Sequence, residues 1–89
     1  MTLPEPQVCR SCRSPIRWGT DANTRRLMPV EAEPSPTGNI SVYVDSTGDL
    51  HLVVLNRSKS AAMRAAGHPL FLSHFVSCPH AARWRKDHH

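Results

Sequence analysis

The sequence predicts a small α+β domain, with an antiparallel β-hairpin or small sheet and one or two short helices. Two apolar alternations separated by a short polar turn indicate the hairpin, and an alanine-rich segment behind a capping residue indicates a helix. The chain has only 89 residues, of which 39% are hydrophobic and 6% are aromatic. One thin core is the most that such a chain can form, so we expect a metal, a disulfide or a partner chain to support it.

The expected strands follow the apolar pattern. Residues 15–18 form a short strand that we expect to end at Gly19, and residues 27–33 form an edge or irregular strand because Pro29 has no N–H to donate. The hairpin comes next, with Ser46, Thr47 and Gly48 at its turn. Its alternating apolar residues are Ile40, Val42 and Val44 in the first strand and Leu50, Leu52 and Val54 in the second.

The expected helices lie in the second half of the chain. Asn56 or Ser58 can cap a helix over residues 59–66, and Gly67 ends it. Pro79 can open a closing helix over residues 80–86. We expect residues 1–7 to be a flexible N-terminal tail, residues 8–86 to form a single domain, and residues 87–89 to be a C-terminal tail.

The spacing of the three cysteines predicts a metal site. Cys9 and Cys12 have the Cys-x-x-Cys spacing of a zinc knuckle, which supplies half of a tetrahedral ligand set. His74 and Cys78 are the only histidine–cysteine pair at standard zinc-ligand spacing that includes the third cysteine. These four residues predict one structural Zn²⁺ per chain, which would join the two ends of a chain with a thin core.

Several alternatives stay open at this point. His80 is a rival fourth ligand, because Cys-x-His also occurs in zinc sites. Cys9 and Cys12 could instead form a redox pair, although Pro15 and Trp18 do not fit the strand–helix context of such a pair. Cys78 could also be an ordinary buried thiol, and His74 an ordinary histidine. An odd number of cysteines argues against a disulfide framework.

The sequence does not predict an enzyme. The motifs of zinc proteases, nucleobase deaminases, phosphate-binding loops and serine hydrolases are all missing from it. Four zinc ligands also leave no open position for a water molecule or a substrate, as a catalytic zinc requires. We therefore expect a non-enzymatic binding module with no small-molecule substrate.

The charge distribution suggests a macromolecular partner. The net charge is +4 with neutral histidines, and the excess of basic residues lies towards the two ends of the chain. This pattern suits an acidic protein surface or a nucleic acid, with the indoles of Trp18 and Trp84 either stacking on bases or covering the metal site. The candidate contact residues are Arg10, Arg13, Arg17, Arg25, Arg26, Arg83, Arg85 and Lys86.

The sequence also predicts where the protein works. No apolar run approaches the ~20 residues needed to cross a bilayer. Residues 1–8 contain two prolines and a glutamate and do not have the pattern of a signal peptide. We therefore expect a cytoplasmic protein with no membrane contact.

Four segments carry a resemblance to a family. They are Cys9-Arg-Ser-Cys12-Arg-Ser-Pro15-Ile16-Arg17-Trp18, Leu27-Met28-Pro29-Val30, Gly38-Asn39-Ile40 and His74-Phe75-Val76-Ser77-Cys78-Pro79. They resemble small zinc-ribbon-like proteins encoded by bacteriophages of actinobacteria and by their hosts. The resemblance spans roughly residues 9–84 and implies a single Cys-Cys-His-Cys (CCHC) zinc site on Cys9, Cys12, His74 and Cys78.

The resemblance implies a setting but supplies no activity. It suggests a phage-type factor that works in the cytoplasm of a host cell and docks there on a host protein or nucleic acid. The alternative is a sequence-tolerant DNA- or RNA-binding zinc protein that uses its basic ends. These two alternatives differ in salt dependence, because binding through phosphates weakens steeply as salt rises.

Overall fold

A computed structural model, which describes residues 3–78, shows a five-stranded mixed β-sheet and two short helices. The predicted α+β class is therefore confirmed. The expected closing helix over residues 80–86 and the C-terminal tail lie outside the described residues. In chain order the elements are β1 (Gln7–Val8), β2 (Pro15–Asp21), β3 (Leu27–Glu31), β4 (Ile40–Val44), β5 (Leu50–Val54), α1 (Arg57–Ala65) and α2 (His74–Ser77).

The predicted hairpin is formed by β4 and β5. Its antiparallel register places Val42 opposite Leu52 and Val44 opposite Leu50, so the alternating apolar residues share one face. Asp45 organises the turn, because its Oδ1 accepts hydrogen bonds from the Thr47 and Asp49 N–H groups at 2.9 and 3.0 Å.

Strand β2 is the centre of the sheet. It pairs with β3 on one side, and with β1 and the parallel strand β5 on the other. It continues through Gly19 to Asp21, so the expectation that the strand ends at Gly19 was wrong. Gly19 lies where a Cβ atom would be 2.8 Å from the Leu52 side chain, so this glycine lets β2 and β5 approach closely.

Residues 70–73 connect the two outer strands of the sheet. Phe71 and Ile40 of β4 exchange hydrogen bonds of 2.8 and 3.0 Å. Two residues later, Ser73 forms a bridge with Val30 of β3, and the Glu31 N–H donates to the Leu72 carbonyl at 2.9 Å. This segment therefore closes the sheet and delivers the chain to the start of α2.

Two groups of buried side chains form the interior. The larger group fills the closed sheet and consists of Val30, Ile40, Leu50, Leu52 and Phe71. Within residues 3–78, the smaller group contains Cys9, Ile16 and Cys78, with Cys12 packed against it. The smaller group is thus made mainly of residues whose side chains can bind a metal.

Helix α1 contributes little to either group. Of the two predicted caps the helix uses Asn56, whose side chain accepts a hydrogen bond from the Lys59 N–H at 2.8 Å. The helix therefore begins at Arg57, two residues before the predicted start at residue 59, and only Ser60 within it is buried. Its last turn is tied to the sheet through Arg64, which donates to the Gly38 carbonyl at 2.6 Å. Within residues 3–78, neither helix has the length and apolarity needed to span a membrane.

Replacing Gly38 tests the closure of the sheet. A Cβ atom at Gly38 would lie 2.4 Å from the Leu70 carbonyl oxygen, and the backbone there cannot move without disturbing residues 70–73. We expect Gly38→Ala to lower the free energy of unfolding by about 2 kcal/mol in urea denaturation. Ser58→Ala, on an exposed position of α1, should change it by less than about 0.5 kcal/mol. Equal stability of the two variants would contradict the close approach.

The contacts of Asp45 should make the stability of the hairpin turn depend on pH. The Thr47 hydroxyl and then His51, whose Nε2 is 2.7 Å from Asp45 Oδ2, hold the Asp45 pKa well below its usual range. The resulting stability is present above the unfolded-state pKa of about 3.9 and is lost as pH falls further. In urea denaturation, Asp45→Asn should therefore be less stable than the wild type at pH 7, and the difference should shrink towards pH 3.

The matched control is Asp49→Asn, which removes the same charge from the same turn. Asp49 accepts only one hydrogen bond from the Thr47 hydroxyl, at 3.1 Å. We expect Asp49→Asn to lower the free energy of unfolding at pH 7 by less than Asp45→Asn does. A difference between the wild type and Asp45→Asn that stays constant between pH 7 and pH 3 would contradict the assignment.

Candidate metal centre

Four side chains from the two ends of the described chain meet at one place. The ligand atoms of Cys9, Cys12, His74 and Cys78 all lie within 4.8 Å of one another, which makes this cluster a group that could hold a metal ion. All three cysteines are thiols and not disulfide partners. The convergence that the sequence predicted for these four residues is therefore present in the structure.

Cys9 and Cys12 are positioned by the connection between β1 and β2. The Cys9 N–H donates to the Ser14 carbonyl at 2.9 Å, and the Arg13 N–H donates to the Cys9 carbonyl at 2.8 Å. Arg13 adopts a left-handed conformation with φ of 65°, which turns the chain back into β2. This tight turn points both thiols towards the same point.

His74 and Cys78 are positioned by the single turn of α2. Ser73 caps the helix by accepting a hydrogen bond from the Phe75 N–H at 3.2 Å. The Cys78 N–H donates to the His74 carbonyl at 2.8 Å, which closes one helical turn. Residues four apart lie on the same side of a helix, so the imidazole and the thiol face the cluster together.

Glu31 completes the site from the sheet. Its Oε2 lies 3.0 Å from His74 Nδ1, so Nδ1–H donates to the carboxylate and Nε2 is directed at the cluster, 3.3 Å from Cys12 Sγ. The register of β2 and β3 explains this position, because Glu31 is opposite Ile16, which packs against Cys9 and Cys78. A carboxylate behind a ligating histidine fixes the tautomer and raises the basicity of the metal-binding nitrogen.

The separation of two of the sulfur atoms is close to that expected around a small tetrahedral metal ion. Around an ion such as Zn²⁺ at about 2.3 Å from each sulfur, neighbouring sulfur atoms are about 3.8 Å apart. Cys9 Sγ and Cys78 Sγ are separated by 4.0 Å. Cys9, His74 and Cys78 are 2%, 1% and 6% exposed, so the cluster is shielded from solvent on most sides.

The surroundings of Cys9 and Cys12 favour the thiolate form that a metal requires. Burial raises the pKa of the Cys9 thiol, but hydrogen bonds from the Cys12 and Ser11 N–H groups and from His74 outweigh it, so the pKa is lowered. Hydrogen bonds from the Ser14 hydroxyl and N–H lower the pKa of Cys12 to about 6. Thiolates are the metal-binding form of cysteine, and these contacts favour that form at Cys9 and Cys12.

The pKa of the His74 imidazole is shifted in the opposite direction from those of the thiols. Burial lowers the pKa of its imidazole, but the hydrogen bonds to Cys9 and Glu31 outweigh burial and raise it. A metal bound at Nε2 would displace the proton that the thiolates otherwise attract. Metal uptake is therefore coupled to proton release.

The candidate contact residues that the structure describes lie at three separate places. Arg10 and Arg13 are exposed on the Cys9–Cys12 turn, whereas Arg25 and Arg26 lie at the opposite end of β2, in the turn to β3. The Arg17 guanidinium forms hydrogen bonds within the chain, because it donates to the carbonyls of Ala32 and Pro4. Arg83, Arg85 and Lys86, together with the rival ligand His80 and the indole Trp84, lie outside the described residues.

Comparisons with known proteins give no relative for this chain. No family model, curated protein or solved structure matches it. The resemblance to zinc-ribbon-like proteins of actinobacteria and their phages therefore stays a prediction. The case for a metal site stands on the geometry of the cluster alone.

Glu31 is the functional residue that the sequence did not reveal. It lies 43 positions from His74, and a single glutamate at the end of a strand has no spacing signal that marks it. We expect Glu31→Gln to weaken metal binding about tenfold or more, because the neutral amide no longer supports the imidazole. Competition with a chromophoric chelator measures this loss.

The matched control is Glu33→Gln, which removes the same charge two residues further on at an exposed position. It should leave the metal affinity unchanged within about twofold. Identical affinities for the two variants would show that Glu31 does not act on the metal site.

Proposed function

We propose that the cluster binds one structural Zn²⁺ per chain through Cys9, Cys12, His74 and Cys78. The donor set supports this choice, since three thiolates and one imidazole are soft ligands that suit zinc, and zinc takes four ligands in its structural sites. The observation that carries the proposal is the convergence of these four ligand atoms within 4.8 Å.

The bound ion would cross-link the ends of the domain. It would join the β1–β2 connection to α2, which are 62 residues or more apart in sequence. The smaller buried group consists of ligands and Ile16, so apolar burial alone stabilises it weakly. The free energy of zinc binding would therefore act as folding free energy.

The proposed role is that of a non-enzymatic binding module. Four protein ligands would complete a tetrahedral zinc and leave no position for a reacting water molecule. The folded module would present Arg10 and Arg13, which are exposed on the Cys9–Cys12 turn, to a host protein or nucleic acid. The resemblance noted above supports a phage-type factor in the host cytoplasm, with sequence-tolerant DNA or RNA binding as the second candidate.

Ligand substitutions test the zinc assignment. We expect Cys9→Ser, Cys12→Ser, Cys78→Ser and His74→Ala each to lose stoichiometric zinc and cooperative unfolding, because each removes one of four ligands. His80→Ala is the control and should keep both properties. Elemental mass spectrometry and circular dichroism melts measure the two outcomes.

The opposite pattern for the two histidines would correct the ligand set. Zinc retained by His74→Ala and lost by His80→Ala would transfer the fourth position to His80. Zinc retained by all four ligand variants would overturn the site itself.

A further inference from the structure

The four residues of the candidate metal centre differ in their exposure to solvent. Cys9, His74 and Cys78 are buried, whereas Cys12 is only half-buried. Cys12 lies on the turn between β1 and β2, and both of its neighbours in the chain are exposed. A small dissolved oxidant therefore meets the sulfur atom of Cys12 before those of the two buried cysteines.

The turn that carries Cys12 has the charge that favours a reactive cysteine. Arg10 and Arg13 are exposed on this turn, and residues 8–20 contain neither aspartate nor glutamate. Cationic surroundings and partial exposure distinguish reactive cysteines from inert buried ones. A metal bound at the cluster would also keep the Cys12 sulfur atom as a thiolate, which is the form that peroxides oxidise. Cys12 thus combines the features of an oxidation site.

Cys12 also has a neighbouring thiol that can turn a first oxidation into a disulfide. The three sulfur atoms all lie within 4.8 Å of one another. Cys9 shares one tight turn with Cys12, which is closed by the Arg13 N–H donating to the Cys9 carbonyl at 2.8 Å. A bridge between these two needs less movement of the backbone than a bridge to Cys78, which belongs to the other end of the described chain. Redox-sensing cysteines often have such a resolving thiol beside them.

We propose that Cys12 is an oxidation site, at which a hydroperoxide converts Cys9 and Cys12 into a disulfide and releases the structural metal ion. The proposal rests on the proposed zinc site and adds a chemical signal that empties it. Because zinc would cross-link the ends of the domain, the same signal would also remove most of the stability of the fold.

The reaction takes two steps with hydrogen peroxide as the oxidant. The Cys12 thiolate attacks one oxygen atom, the O–O bond breaks, and a sulfenic acid and a hydroxide ion form. The Cys9 thiolate then attacks the Cys12 sulfur atom, which forms the S–S bond and expels a second hydroxide ion. Overall, the two sulfur atoms lose two electrons and the two oxygen atoms gain them. His74 and Cys78 alone remain of the four ligands, which is too few for a structural zinc site, so the ion is released.

Peroxide treatment of the zinc-loaded wild-type protein tests the order of these events. An equimolar amount of hydrogen peroxide is added in the presence of a zinc-binding dye, and the cysteines are then alkylated and mapped by mass spectrometry. We expect release of zinc in step with a Cys9–Cys12 disulfide, and Cys78 recovered in its alkylated form. Dimedone, which traps sulfenic acids, should label Cys12 and neither of the other cysteines. A dithiol reductant should break the disulfide and restore zinc binding.

Two histidine substitutions separate the half-buried thiol from the buried ones. Cys12→His and Cys78→His each leave two cysteines and two histidines, a ligand set that zinc also accepts. We expect Cys12→His to slow the release of zinc by peroxide about tenfold or more, because the remaining thiols of Cys9 and Cys78 are both buried. Cys78→His keeps the Cys9–Cys12 pair and should release zinc within about twofold of the wild-type rate.

The possible failures of the proposal differ from a failure of the zinc site. Dimedone on Cys9 or Cys78, or a first disulfide that includes Cys78, would overturn the assignment of Cys12 in the wild-type protein, whether or not the variants fold. Zinc-loaded variants that release the ion at equal rates would contradict it as well. Zinc that stays bound while peroxide is consumed would overturn the release and leave the metal site intact. A wild-type protein that takes up no zinc would overturn the metal site together with this inference.

Discussion

The meeting of the Cys9–Cys12 turn with α2 is the contact on which the rest of the structure depends. It joins residue 9 to residue 78, and among the described residues of the smaller buried group Ile16 alone is not a candidate ligand. Without an ion, this end of the molecule would hold three thiols and an imidazole in place of an apolar core. A metal converts the same residues into a cross-link, which is how short chains offset the entropy of folding.

The sheet and the metal site depend on each other through one segment. Residues 70–73 close the sheet between β3 and β4, and they also set the start of α2, where His74 lies. Glu31 strengthens this link, since its backbone bonds to Leu72 and its carboxylate to His74. A change that disturbs residues 70–73 should therefore displace His74 and Cys78, two of the four candidate ligands. Loss of the hydrogen bond between Glu31 and His74 should in turn weaken the contact of β3 with residues 70–73.

The features that the sequence predicted are those with a short-range signal. The β4–β5 hairpin follows from alternation on either side of a turn, the start of α1 from Asn56, and the ligand pairs from their spacing within one turn each. The convergence of the two ligand pairs could be predicted because a chain with so thin a core needs a cross-link. Three cysteines and a histidine could supply one by binding a metal.

The features that the sequence did not predict come from long-range contacts. Nothing within residues 15–18 shows that β2 runs past Gly19, because the last residues of the strand, Thr20 and Asp21, pair with β5, 31 positions away. The parallel pairing of β2 with β5 and the role of Glu31 have the same origin. Arg17 has the sequence context of a surface contact, yet its guanidinium binds the carbonyl of Ala32, a partner that only the folded chain provides.

The central claim is that one zinc ion holds this fold together. Its most direct test is the thermal unfolding of the untagged protein with and without a strong chelator, with zinc per chain measured on the same sample by elemental mass spectrometry. The account predicts one zinc per chain and loss of the cooperative transition on chelation. A protein that contains no zinc and melts at the same temperature with chelator as without it would contradict the claim, and the three cysteines would then be ordinary thiols.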